Sequence, residues 1–156
     1  MAFLNSLNIA GSALTAQRQR LDIISENVSN VDTTRTASGG PYRRKIVVFE
    51  DKAGDLSFGD ALDRAIAQGK FAGRLARRRT APGVRVAKIV EDQSALKTKY
   101  DPEHPDADAQ GYVRLPNVNM LEETIDSMSA TRSYHANVTV LNAVKTMASK
   151  ALDIGK

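Results

Sequence analysis

The feature that most constrains this chain is a pair of long apolar seams at its opposite ends. Phe3, Leu7, Ala10, Leu14, Gln17, Leu21, Ile24, Val28 and Val31 follow one another at alternating steps of four and three. That is a heptad a/d series whose one polar member is Gln17, and it predicts a helix over residues 3–29, about 40 Å long. Asn30 can take a left-handed C-cap, with Asp32-Thr33-Thr34 as the exit. At the other end Leu121, Ile125, Met128, Val138, Leu141, Ala148 and Leu152 read as one stripe, interrupted around 131–135. Asn119 and Glu122 form a capping-box pattern there. Glu122, Glu123 and Asp126 suit the positive end of the helix dipole, Lys145 and Lys150 suit the negative end, and Gly155 can stop the helix. The predicted second helix spans about 35 residues, roughly 50 Å.

Between the seams the pattern changes. Gly39-Gly40-Pro41 is a turn, and Ile46-Val47-Val48-Phe49 has the β-branched and aromatic content of a strand. Residues 84–91 alternate as a second strand, 58–79 have short-helix character broken by Gly69 and Gly73, and 101–117 read as a Pro- and Asp-rich loop. The expectation is therefore a mainly α chain: long N- and C-terminal helices pairing as a coiled coil around a small β-rich insert. Its divisions fall at 1–34, 35–118 and 119–156. With only four Phe, four Tyr and no Trp among 156 residues, two such seams are hard to bury inside one small ball. Helix flanks such as Ile9, Ala13, Ile23 and Val144 call for further neighbours, which suggests an assembly subunit. A monomeric helical hairpin with a β cap is the simpler alternative.

The formal net charge is +4, and the excess lies in the insert, with sixteen basic against eleven acidic residues over 35–118. No acidic residue separates Asp63 from Glu91, a stretch holding Arg64, Lys70, Arg74, Arg77, Arg78, Arg79, Arg85 and Lys88. Such a block could neutralise phosphates, but Phe71 is its one aromatic and no nucleic-acid module surrounds it. A cytoplasmic basic coiled-coil adaptor for nucleic acid or an acidic protein is the alternative function this block raises. The acidic loop holds Asp101, Glu103, His104, Asp106 and Asp108, and the spacing of Asp106 and Asp108 before Gly111 faintly resembles a calcium loop. Gln110 and Asn117 stand where ligands belong, however, so a turn is the better reading.

Catalytic patterns are poor. Cysteine is absent, the two histidines are His104 and His135, and no nucleophile elbow, P-loop or dinucleotide fingerprint occurs. Arg132, Ser133, Tyr134 and His135 read as a helix face rather than a converging set. No catalytic, cofactor or metal residue is expected. Asn27-Val28-Ser29 and Asn137-Val138-Thr139 match the glycosylation sequon on predicted helices, which reads as chance. No run approaches the ~18 apolar residues of a membrane span. The first positive charge is Arg18, which does not suit a secretory signal.

Both termini resemble the axial proteins of the bacterial flagellum. The N-terminal likeness runs through Gly11-Ser12-Ala13-Leu14-Thr15-Ala16, Arg20-Leu21 and Asn27-Val28-Ser29-Asn30-Val31-Asp32-Thr33. The C-terminal one runs from Ser129 through Arg132, Tyr134 and Asn137 to Val140-Leu141-Asn142 and Lys145. Pro41-Tyr42-Arg43-Arg44-Lys45, Gly83–Ala87, and Tyr100 through Asn117-Val118 are similar to a basal-body rod protein of the proximal segment. Ser29, Asp32 and Thr131 depart modestly from the family pattern, and residues 51–82 match no pattern.

The resemblance implies a structural subunit of the flagellar rod, not an enzyme, stacking helically to carry torque from motor to hook. It implies copies of itself, other rod proteins, basal-body base components and the flagellar type III export apparatus as partners. No small-molecule substrate, cofactor or nucleic acid is implied. The implied location is the rod within the periplasm, reached without a cleaved signal peptide. The expected assembly interface is Leu7, Ala10, Leu14, Leu21, Ile24 and Val28 packed on Ile125, Met128, Val138, Leu141, Ala148 and Leu152. The family signature is Ser12, Ala13, Leu14, Ala16, Arg20, Asn27, Asn30, Arg132, Tyr134 and Asn137.

Overall fold

The computed structural model describes residues 2–37, 39–52 and 83–154. In chain order they form α1 (Ala2–Ser29), β1 (Lys45–Asp51), β2 (Val84–Glu91), β3 (Lys97–Tyr100), β4 (Tyr112–Leu115) and α2 (Met120–Ile154). The predicted helical character of 58–79, the proposed cap at Gly155 and the basic residues from Arg64 to Arg79 lie outside the described residues.

Both long helices form where their periodicity places them. At the end of α1 the amide of Asn30 donates to Glu26 O, and Thr33 Oγ1 donates to Asn30 Oδ1 at 3.1 Å. At the start of α2 the Leu121 amide donates to Asn119 Oδ1 at 3.2 Å, an N-cap that satisfies one of the free first-turn donors. The helices run antiparallel, since Asn27 meets Glu123 while the earlier Arg20 meets the later Asp126. At 28 and 35 residues they measure about 42 and 52 Å, so about the last two turns of α2 project past the start of α1.

The mainly α coiled-coil expectation needs correcting. Four strands in two separate antiparallel sheets share the described chain with the two helices. On α2 the helix contact takes in only part of the apolar stripe that the sequence suggested. On α2 the covered series is Glu123, Ser127, Ala130, Tyr134, Asn137, Leu141, Val144 and Ala148. Leu121, Ile125 and Met128 occupy the opposite side and are 68%, 58% and 52% exposed. Glu123 has its partners Arg44 and Asn27 inside, and a helix that turns Glu123 inward turns residues 121, 125 and 128 outward.

Strands β1 and β2 pair from Lys45↔Glu91 to Asp51↔Val84. Val48 faces Lys88 and Phe49 faces Val86, so Ala87 is the extra residue of a bulge. This sheet lies along α1, where the Val84 amide donates to Ser12 Oγ at 3.1 Å. A Cβ on Gly83 would come 2.7 Å from that same oxygen, which explains glycine at the entry to β2. The Lys52 amide donates to Gly83 O at 2.8 Å and closes the end of the hairpin.

The expectation of a continuous loop over 101–117 also needs correcting, because β4 lies inside it and pairs with β3 from Lys97↔Leu115 to Tyr100↔Tyr112. Aspartates organise the connection. Asp108 Oδ1 accepts from the amides of Gln110 and Tyr112 at 3.0 and 2.8 Å, and Gly111 takes φ +82° beneath the Tyr100 ring. Asp106 accepts from Thr34 Oγ1 at 2.8 Å, docking the turn on the exit from α1. These carboxylates thus serve as turn acceptors, and no metal-binding cluster of acidic or histidine groups occurs among the described residues. No described helix is long and apolar enough to cross a membrane.

Candidate assembly site

The densest side-chain chemistry sits where the end of α1, the lead into β1 and the first turns of α2 converge. Asn27 is 1% exposed and uses its full capacity of two donors and two acceptor positions. Its Nδ2 donates to Lys45 O at 2.9 Å and to Glu123 Oε2 at 3.1 Å. Its Oδ1 accepts from Tyr42 Oη and from the Lys45 amide, both at 2.9 Å. A flipped amide would set donor against donor at Lys45, so this arrangement fixes the orientation.

Glu123 is wholly buried. Its second oxygen accepts from Arg44 Nε at 2.6 Å, and Arg44 reaches Asp126 at 3.5 Å. Asp126 also pairs with Arg20 at 3.3 Å, and Lys45 Nζ pairs with Glu26. Behind Arg44 the backbone is tied in as well. Its amide donates to Asn117 Oδ1 at 2.8 Å, and its carbonyl accepts from the Asp92 amide at 2.8 Å. One cluster therefore joins both helices, β1 and the turn after β2.

The charges follow from this packing. Burial pushes the Tyr42 phenol up to about 12, and the carboxylates of Glu26, Glu123 and Glu91 add to the effect. Burial works against the Arg44 cation, but the hydrogen bond and charge of Glu123, with Asp126 and Asp92 behind it, hold its pKa above the ordinary value. Asp92 is held low by the Ser94 amide first, with Arg44 and Arg43 adding to it.

The expected interface residues divide unevenly. On α1, Ala10 and Ile24 are buried, while Leu7, Leu14, Leu21 and Val28 are half-buried. Leu21, Ile24 and Val28 share a shallow cleft of about 270 Å³ with Met120, Glu123, Thr124 and Ser127 of α2. On α2, Val138, Leu141 and Ala148 are half-buried. Ile125 and Met128 face away from α1, and Leu152 is 75% exposed near the projecting end. Val140 and Met147 are exposed too. The helix pair therefore carries uncovered apolar surface along the back of α2 and at its far end.

The signature residues serve the frame. Ser12 holds the start of β2, Ala16 is buried, and Arg20 and Asn27 belong to the junction. Asn30 braces the exit from α1, and Asn137 Nδ2 donates back to Ser133 O at 2.9 Å. Ala13, Leu14 and Tyr134 are half-buried, and Arg132 is exposed. The sequence pattern misses the central pair, since it marks Glu123 only as a dipole partner and Arg44 only as part of a matching run. The available signal was Glu123 falling on the side of α2 opposite Leu121, Ile125 and Met128.

Comparison with known proteins accounts for both helical ends. Residues 7–35 match the family described as "Flagella basal body rod protein", and residues 109–154 match "Flagellar basal body rod FlgEFG protein C-terminal". The class is thus the flagellar basal-body rod proteins. Three relatives, each named flagellar basal-body rod protein FlgC, extend the likeness across the insert. That of Bacillus subtilis is 47% identical over 160 residues, covering 100% of both chains. That of Borreliella burgdorferi is 45% identical over 163 residues, covering 99% of this chain and 98% of its own. That of Escherichia coli O157:H7 is 44% identical over 156 residues, covering 100% of both. The chain belongs to the FlgC family of flagellar basal-body rod proteins and is a structural subunit of the rod.

Proposed function

We propose that the chain assembles in helical order with copies of itself and with other rod proteins, and that the assembly transmits torque from motor to hook. The observation that carries this reading is the uncovered apolar surface of α2: Leu121, Ile125 and Met128 along its back, and Leu152 near its projecting end. Side chains of this kind release water when a neighbour covers them, a gain of about 25 cal/mol per Å². The contact then recurs at each subunit, as non-closing heterologous interfaces require.

The half-buried α1 residues Leu7, Leu14, Leu21 and Val28, with Val138, Leu141 and Ala148 on α2, form the rest of the proposed interface. The segments 1–34 and 119–156 are its assembling parts, and 35–118 is the insert they present. The location that goes with this reading is the periplasmic rod, reached through the flagellar type III export apparatus without a cleaved signal. Basal-body base components are then its neighbours below. The work is mechanical: no catalysis, small-molecule substrate, cofactor or nucleic acid enters it.

The test is deletion of the gene, scored by swimming and by electron microscopy of basal bodies. The expected result is loss of rod and filament with the membrane ring retained, and rescue by the unmodified gene. Normal rods and swimming in the deletion strain would overturn the reading.

A further inference from the structure

The fully buried apolar side chains of the two helices are mostly small, and small side chains define a register weakly. Among the described residues, the apolar side chains buried on the two helices are Ala10, Ala16, Ile24 and Ala130, so Ile24 alone is large. One alanine substitutes readily for another along a helix surface. Sliding α2 by one heptad, about 10 Å, would set Tyr134 where Ser127 lies and Leu141 where Tyr134 lies, half-buried positions with room to adjust, and would set Ala130 where Glu123 lies.

Glu123 is the residue that cannot be exchanged. Both its oxygens are occupied, one by Arg44 Nε at 2.6 Å and the other by Asn27 Nδ2 at 3.1 Å. A slip of one heptad in one direction would set Ala130 opposite Asn27, leaving the Arg44 cation and an Asn27 N–H without their acceptor. A slip in the other direction would bring up Pro116, which precedes the helix. A buried polar group that finds partners in a single alignment excludes the others, because an unpaired buried charge costs far more than a lost methyl contact.

We propose that Glu123 is the register-fixing residue of the subunit, setting where α2 stops along α1. Through Arg44 and Asn27 it ties that position to β1, so the sheet and both helices share one origin. Asp126 supports it, since Arg20 and Arg44 hold that carboxylate one turn further along.

The chain has no cysteine, so engineered pairs report alone. In intact cells making the full-length protein, Leu21→Cys with Ser127→Cys reports the observed register, since both residues line the same cleft. Leu21→Cys with Tyr134→Cys reports a slip of one heptad. A membrane-permeant bis-maleimide alkylates each cysteine pair without any oxidant, and intramolecular cross-links change gel mobility without doubling mass, so contacts between copies are separated from those within one. Neither readout depends on where the protein resides, and failure of the rod reading is therefore distinguishable.

With the junction intact, only the 21–127 product is expected. The double variant Arg44→Met/Glu123→Leu removes both charges together and leaves Asp126 with Arg20. In it the 21–134 product should rise to an amount comparable with 21–127. Ile24→Ala, which trims the large buried contact, should keep 21–127 exclusive. An exclusive 21–127 product in the double variant would overturn the proposal. So would a 21–134 product in Ile24→Ala, which would assign register to packing. Loss of both products in the double variant would overturn it as well, since a register-fixing role requires that the helices still pair without it.

Discussion

Removing Arg44 should damage this fold more than removing Arg44 and Glu123 together. In Arg44→Met the Glu123 carboxylate stays fully buried and keeps only the Asn27 N–H at 3.1 Å. Stranding one half of a buried pair costs about 3–5 kcal/mol, because the remaining charge has lost both water and counter-ion. Glu123→Leu with Arg44→Met leaves no charge stranded. Asp126 keeps Arg20 at 3.3 Å, and leucine fills most of the volume of the glutamate side chain. Replacing an entire buried pair by apolar groups is often close to neutral.

Urea unfolding of the full-length chain, followed by far-UV circular dichroism, measures the difference. With a slope of about 2 kcal/mol per molar urea, Arg44→Met should lower the midpoint by about 2 M. The double variant should recover more than half of that loss. Additive costs in the two single variants and the double would refute the reasoning, because they would mean that Glu123 and Arg44 do not act as a pair.

Three further outcomes are expected. Tyr42→Phe should remove an alkaline dependence of stability. The folded phenol titrates near 12 against an ordinary value near 10, so between those limits the unfolded chain has lost a proton that the folded chain keeps, and stability falls as pH rises. The difference between unmodified protein and variant in urea melts from pH 9 to 12 isolates this one group. Gly111→Ala should disturb the β3–β4 turn, since the new Cβ would meet Tyr100 at 2.9 Å with φ at +82°. The loss should be about 1–3 kcal/mol in the same melts. Ile125→Asp should leave the melt within about 0.5 kcal/mol of the parent, as befits an exposed site, yet abolish rod formation seen by electron microscopy. Normal rods in that strain would remove the back of α2 from the assembly interface.

The sequence pattern identifies both helices because each carries a long helical period, broken in α2 only around 131–135. It also identifies β1 and β2, because β-branched residues cluster in both. It does not identify which side of α2 turns inward. Leu121, Ile125 and Met128 form the more apolar stripe, and transfer energy alone would bury it. The opposite face carries Glu123, whose partner Arg44 lies 79 positions earlier and is therefore invisible to any local pattern. β3 and β4 escape for a related reason. Lys97-Thr98-Lys99-Tyr100 has no buried member, so its pairing rests on backbone hydrogen bonds and the Tyr100–Tyr112 edge contact rather than on hydrophobic alternation.

The bond from the Lys52 amide to Gly83 O clasps the end of β1 to the start of β2 beside Ser12. The pair of strands is thus fastened to α1 at both of its ends, by Ser12 at one and by Asn27 through the Lys45 backbone at the other. The fifteen-residue step from Ser12 to Asn27 rises about 22 Å along the helix, close to the length of β1. The strands therefore act as a splint, and bending α1 between those two residues would have to strain the β1–β2 ladder with it.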